Sequence, residues 1–136
     1  MLRETVQSPE YQEMIKTVAE YLQKKGFENI KADIDDYEPP AKMNKQGTDI
    51  TFIPNITARK TDGSKFYFEV VSKEQEDQEL LLSKWSMLSA FASLRGGKFY
   101  LIVPNGKLRF TNRLLKDNEQ IQSNVLQFKA LKKTFF

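Results

Sequence analysis

Residues 53–73, IPNITARKTDGSKFYFEVVSK, constrain the fold more than any other part of this chain. Two β-prone runs flank Thr61-Asp62-Gly63. A three-residue loop ending in a left-handed glycine is a favoured hairpin connection. Under that loop Lys60 pairs with Ser64, and Asn55 lies directly opposite Glu69, with Cβ atoms about 5 Å apart on one face. A two-residue Asp-Gly turn would slip the register by one and send Asn55 and Glu69 to opposite faces. The alternation decides between the two. Ile50, Phe52, Ile56 and Ala58 define one face of the first strand, and Phe66, Phe68 and Val70 one face of the second. Those sets meet only under the three-residue loop, which is therefore the expected turn.

The elements around the hairpin follow from periodicity and end signals. Residues 9–25 form an expected helix: Ser8 suits the N-cap, Pro9 the first position and Gly26 the residue past the end. Tyr11, Met14, Ile15, Val18, Tyr21 and Leu22 make its apolar stripe. NIKADIDDY predicts a strand with Ile30, Ala32 and Ile34 inward, ended by Pro39-Pro40. AKMNKQG predicts a loop. Residues 75–95 predict a second helix that packs flat on a sheet, with Leu81, Trp85, Leu88 and Ala92 in one row and Leu80, Met87, Phe91 and Leu94 beside it. Lys84 falls inside that apolar face. KFYLIVP predicts a central strand covered on both faces. LRFTNRLLKDNEQ predicts a third helix and VLQFKAL a final strand. The order helix, three strands, helix, strand, helix, strand defines a single α/β domain over 1–136, a sandwich whose mixed central sheet has an antiparallel meander and one crossover helix.

The absences restrict chemistry. The 136 residues contain neither Cys nor His. Disulfides, thiolate nucleophiles and Ser-His-Asp catalysis are excluded. Carboxylate, Lys, Tyr and Ser chemistry remains, and carboxylates without His or Cys suit Mg²⁺ or Mn²⁺. The net charge of +3 permits a nucleic-acid partner without demanding one. No run approaches a membrane span, and the start lacks a signal-peptide segment, so a cytoplasmic protein without membrane contact is expected.

The leading helix ending KKGF, the strand ADIDDY, the IPNITA…FEVVSK hairpin, the helix around LLLSKWSMLSAFA and the run GGKFYLIVP together resemble the PD-(D/E)xK nuclease superfamily, the restriction-endonuclease-like fold. The pattern is similar to small bacterial members that read PDITA followed by FEV. The resemblance implies that Asn55 takes the position of a metal-binding Asp, Glu69 that of the metal-binding acid and Val71 that of the Lys. Only Glu69 matches. Asn55 keeps an oxygen but loses a charge, and Val71 has neither charge nor donor. Candidate replacements are Lys73 and Lys84 for the Lys, and Glu10 or Glu13 for a second carboxylate. The candidate catalytic set is thus Glu69, Asn55, Lys73 and Lys84, and the candidate Mg²⁺ or Mn²⁺ ligands are Glu69, Asn55 and Glu13. Lys73, Glu10 and Glu13 have a plainer reading as solvated charges, and Lys84 as a stem lying on the core with its ammonium in water. Glu69, costly to bury without a partner, has one as a structural residue that pairs with Lys73 or Lys84 or accepts from the Asn55 side-chain amide. Asp49 lies roughly 20 Å from Asn55 along an extended strand, so it is expected as a turn or strand-start residue unless the chain bends at Pro54.

The expected function is a nuclease-fold protein with a degraded metal site, weak or inactive in cleavage, that binds DNA or RNA or serves as an assembly subunit or homodimer. Two alternatives stay open: an active Mg²⁺-dependent phosphodiesterase with migrated Lys and acid, and a protein-interaction module for which the tail LKKTFF is one candidate surface. A nucleic-acid binder should collect Arg59, Lys60, Lys65, Lys107, Arg109, Arg113 and Lys116 on the face that carries Asn55 and Glu69, and a spread over all faces takes away most of the support for binding.

Overall fold

A computed structural model describes residues 8–72 and 77–133. Helix α1 spans Pro9–Lys24, where Ser8 Oγ accepts the Tyr11 N–H at 3.2 Å and Pro9 starts the first turn. Strand β1 spans Glu28–Ala32. Two short strands follow, β2 at Met43–Asn44 and β3 at Thr51–Phe52, which pair only with each other. The central hairpin is β4, Ile56–Arg59, and β5, Lys65–Val70. Then come α2 (Gln78–Leu94), β6 (Phe99–Val103), α3 (Leu108–Lys116), β7 (Asn124–Gln127) and α4 (Phe128–Lys133).

The main sheet has five strands in the order β1-β4-β5-β6-β7. β1, β4 and β5 form an antiparallel meander, and β5, β6 and β7 run parallel. Two crossovers therefore exist rather than the one expected, because α3 carries the chain from β6 to a parallel β7. Apolar side chains alternate between two cores. Ile56, Ala58, Phe66, Phe68 and Val70 pack with Met14, Ile15, Val18 and Leu22 of α1 and with Leu131 of α4. Tyr67, Val71, Leu101 and Val103 pack on the opposite face with Leu81, Trp85, Leu88 and Ala92 of α2 and Leu114 of α3. Burying each branched or aromatic side chain contributes roughly 1.5–3 kcal/mol, so the two layers together carry most of the stabilisation.

The turn takes the three-residue form. Lys60 N–H donates to Ser64 O at 3.0 Å, Gly63 has φ +89°, and Ile56↔Phe68 through Arg59↔Lys65 are the paired positions. Asp62 Oδ1 accepts both the N–H and the hydroxyl of Ser64, and these bonds hold its carboxyl below the usual range.

Several expectations of the sequence fail for local reasons. The strand drawn through 50–58 is broken before Ile56, so Phe52 packs into the α2 core instead of joining Ile56 on the α1 side. Pro54 cannot donate to a ladder, which explains the interruption. AKMNKQG contains β2, held by its pairing with β3. β1 ends at Ala32, well before Pro39-Pro40, because Asp36 turns left-handed and Ala32 N–H finds Glu38 O. α2 starts at Gln78 because Asp77 Oδ1 caps Glu79 and Leu80. The last expected strand turns into α4 at Phe128. Leu80 and Leu94 on α2 stay 42% and 79% exposed, so its inward face is narrower than expected. No helix of the described residues is long and apolar enough to cross a membrane.

Candidate functional site

The chain positions Asn55 and Glu69 at the point where β4 begins and β5 ends. Both are 5% exposed. Asn55 N–H donates to Glu69 Oε2 at 2.6 Å, and Val70 N–H donates to Asn55 Oδ1 at 2.7 Å. Two consecutive residues of β5 are thus held at two points by the residue that precedes β4. Asn55 O also accepts the Asp33 N–H at 2.9 Å, tying the end of β1 to the same residue.

The register explains why side chains are needed here. Extended one alternate step beyond Ile56↔Phe68, the ladder would set Val70 against Pro54. Proline has no N–H, so Val70 O would lack its ladder donor. Tyr11 of α1 supplies one: its hydroxyl lies 2.8 Å from Val70 O and 2.9 Å from Asn55 Oδ1. One phenolic proton serves two acceptors. Asn55 Oδ1 takes the Val70 N–H in place of a proline carbonyl. Because Val70 N is a donor only, the Asn55 atom facing it must be the oxygen. A buried backbone group left unpaired costs about 1–3 kcal/mol, so this clasp is a stability feature of the sheet end.

The residues expected as metal ligands are engaged in other bonds. Asn55 Oδ1 faces two donors, and Glu69 Oε2 faces a third at short distance. Val71 is 2% exposed, packs in the α2 core with Trp85 and Leu81, and donates its N–H to Ile102 O at 2.9 Å. Among the described residues no group of three or more Asp, Glu, His or Cys side chains is placed to hold a metal. A Mg²⁺ or Mn²⁺ site needs several oxygen ligands directed at one point, and the described residues bring no such group together here.

The other candidates lie elsewhere. Glu13, with Glu10, lines a cleft of about 330 Å³ formed with Pro104, Asn105 and Phe128, between α1, the turn after β6 and α4. Lys84 Nζ sits 5.7 Å over the Phe52 ring, a cation–π contact between α2 and β3. Lys73 lies outside the described residues. Asp49 is exposed in the turn that leads into β3. The bend near Pro54 does occur, but it serves the clasp. Tyr11 and Asp33 are members that the sequence reading missed. Periodicity alone places Tyr11 in the apolar stripe of α1. The signal that would have found it is Pro54 itself, whose missing N–H requires an outside donor for Val70.

The basic residues divide. Arg59 and Lys65 are direct cross-strand partners at the turn end of the hairpin, on the sheet face that also carries Tyr67 and Glu69. Lys60 is on the other face, with Nζ 4.9 Å over Phe66 and 5.5 Å over Phe27. Lys107, Arg109, Arg113 and Lys116 belong to α3 and its N-cap. Burial first, then the charges of Arg59, Arg95 and Lys31, hold the Lys65 ammonium below the usual lysine range. Burial likewise raises the Tyr67 phenol, partly offset by Arg95 and Arg59. No protein-family model matches this chain, and no curated protein matches its sequence.

Proposed function

We propose that this chain has the PD-(D/E)xK nuclease fold with its metal site converted into a structural clasp, and that it binds nucleic acid without cleaving it, alone or as a subunit of an assembly. The observation that carries this reading is a pair of hydrogen bonds: Asn55 N–H to Glu69 Oε2 and Val70 N–H to Asn55 Oδ1. Catalysis by two ligand carboxylates and a Lys needs those oxygens directed at a cation and a charge near the attacking water. Here the oxygens are directed at backbone N–H groups, and the Lys position is a core valine. The meander β1-β4-β5 followed by a parallel β6, with α1 and α2 on opposite faces, supports the superfamily reading.

The test is incubation with labelled DNA and RNA in Mg²⁺ and in Mn²⁺, with binding followed in parallel. Binding without cleavage is expected. Metal-dependent cleavage that disappears in Glu69→Gln would overturn the proposal in favour of an active phosphodiesterase. A protein-contact role has one specific observation in its favour, the exposed Leu80 and Leu94 of α2. Sedimentation equilibrium of Leu94→Glu beside the wild type tests it, with a loss of self-association expected if that stripe joins two copies.

A further inference from the structure

We infer that the sheet face bearing Lys31, Arg59 and Lys65, with Arg95 at the end of α2, is a docking surface for the phosphodiester backbone of a nucleic acid. The inference rests on the reading above that nucleic acid is the partner, and it adds where the partner sits and what recognises it. Four observations lead to it.

Register places the side chains together. Lys31 pairs with Thr57, Thr57 with Tyr67, and Arg59 with Lys65, across three adjacent strands. Cross-strand partners project to the same face, which is the face opposite Ile56, Ala58 and Phe66. Arg95 joins them through the backbone, since its C=O accepts the Lys65 N–H at 3.3 Å. Gly97 permits this approach: a Cβ there would lie 1.9 Å from Lys65 O.

The surface is accessible. Thr57 and Tyr67, between the cations on this face, are buried, so the surface is the rim formed by the four cations. Lys31, Arg59 and Lys65 are half-buried and Arg95 is exposed.

The charges are poorly compensated. Arg59 Nη1 donates to Gly63 O at 2.9 Å, a neutral acceptor, and Lys65 Nζ lies 5.5 Å from the Tyr67 ring centre. Glu28 is the Cα partner of Arg59 across a bulge, yet the two form no ion pair. Among the described residues, Lys31 alone of the four has a carboxylate partner, Glu38 at 3.4 Å.

The arrangement carries a cost that an anion removes. Like charges placed directly opposite destabilise a strand pair. A phosphate between Arg59 and Lys65 turns that repulsion into two charge-assisted hydrogen bonds. Contacts of this kind fix position and are indifferent to sequence. Glu69 lies four residues along β5 from Lys65, about 13 Å, so the bound backbone approaches the clasp without entering it.

The experiment is a fluorescence-anisotropy titration of a labelled duplex DNA and of a labelled single-stranded RNA over a range of salt concentrations. Wild type is compared with Arg59→Gln/Lys65→Gln and with two controls, Lys60→Gln on the opposite face and Lys116→Gln on α3. The double variant should bind at least about tenfold more weakly and lose about two from the salt slope, while the controls keep both values. Its urea midpoint should be no lower than wild type, since it removes a repulsion, which separates lost binding from lost folding. Unchanged binding in the double variant, or equal losses in the controls, would overturn this surface while leaving nucleic-acid binding intact. Absence of wild-type binding to either polymer would overturn both. Binding to polyglutamate that the double variant abolishes, without nucleic-acid binding, would overturn nucleic acid as the occupant.

Discussion

The two ends of the β4–β5 hairpin treat polar groups in opposite ways. At the Pro54 end, Asn55 and Glu69 are buried, and their oxygens are directed at N–H groups a few tenths of an ångström inside 3 Å. At the turn end, Arg59 and Lys65 face each other with like charge, half-exposed, and without a carboxylate between them. The two ends flank one hairpin, with Asn55 just before β4 and Glu69 near the end of β5. The difference teaches where stability and function separate. The buried end offsets the cost of burying polar atoms by bonding every strand terminus to something, which leaves it little freedom to bind. The turn end is left with a like-charge repulsion that an anion would relieve.

Substitutions break the comparison in a predictable order. Val71→Lys should have the largest effect, because it places an unpaired ammonium in the Trp85 core where the nuclease pattern would have its Lys. A loss of about 3–5 kcal/mol in urea unfolding is expected. An unchanged midpoint would mean that this position has a path to solvent. Glu69→Ala should come next, at about 2–3 kcal/mol, since it orphans the buried Asn55 N–H and removes a charged acceptor. Glu69→Gln should recover most of that loss if the carboxylate serves chiefly as an acceptor. Tyr11→Phe should cost about 1 kcal/mol by removing the donor that Val70 O receives in place of a proline N–H.

The turn end should respond in the opposite direction and more weakly. Lys65→Met should raise stability at neutral pH by a few tenths of a kcal/mol, because it removes a like-charge neighbour of Arg59. Its pH signature has a definite sign. Lys65 has a folded pKa below its ordinary 10.5, so the folded protein releases this proton before the unfolded chain does. Stability therefore rises with pH between the folded value and 10.5. Tyr67 acts the other way: its folded pKa lies above 10.0, so its contribution is complete below 10.0 and is lost as pH climbs through the folded value. Subtracting the Lys65→Met curve from that of the wild type isolates the lysine, and a flat difference would mean that the ammonium is not depressed.

Much of the fold was legible because its signals are local. Ser8, Pro9 and Gly26 bracket α1, and Thr61-Asp62-Gly63 sets the hairpin register through one left-handed glycine. The row Leu81, Trp85, Leu88 and Ala92 marks the buried side of α2. What escaped depends on tertiary pairing. β2 and β3 are two residues each and exist only by pairing with one another, and α4 follows β7 with no breaker between them. For the site, register placed Asn55 beside Glu69, but the atoms that meet are the Asn55 backbone N–H and the Glu69 carboxylate rather than the Asn55 side-chain amide. Strand alternation treats Asn55 as one more residue of a continuous strand. The chain bends near Pro54, and that bend turns the Asn55 oxygen to Val70 and Tyr11. A donor from α1 cannot be read from either strand.

Calorimetric titration of the intact protein with Mn²⁺, repeated with Glu69→Gln, addresses the central claim most directly. The clasp predicts no saturable heat for the wild type and no difference between the two proteins, because Asn55 Oδ1 and Glu69 Oε2 already accept backbone N–H groups. Saturable Mn²⁺ binding that Glu69→Gln abolishes would contradict it and return Glu69 to the role of a metal ligand.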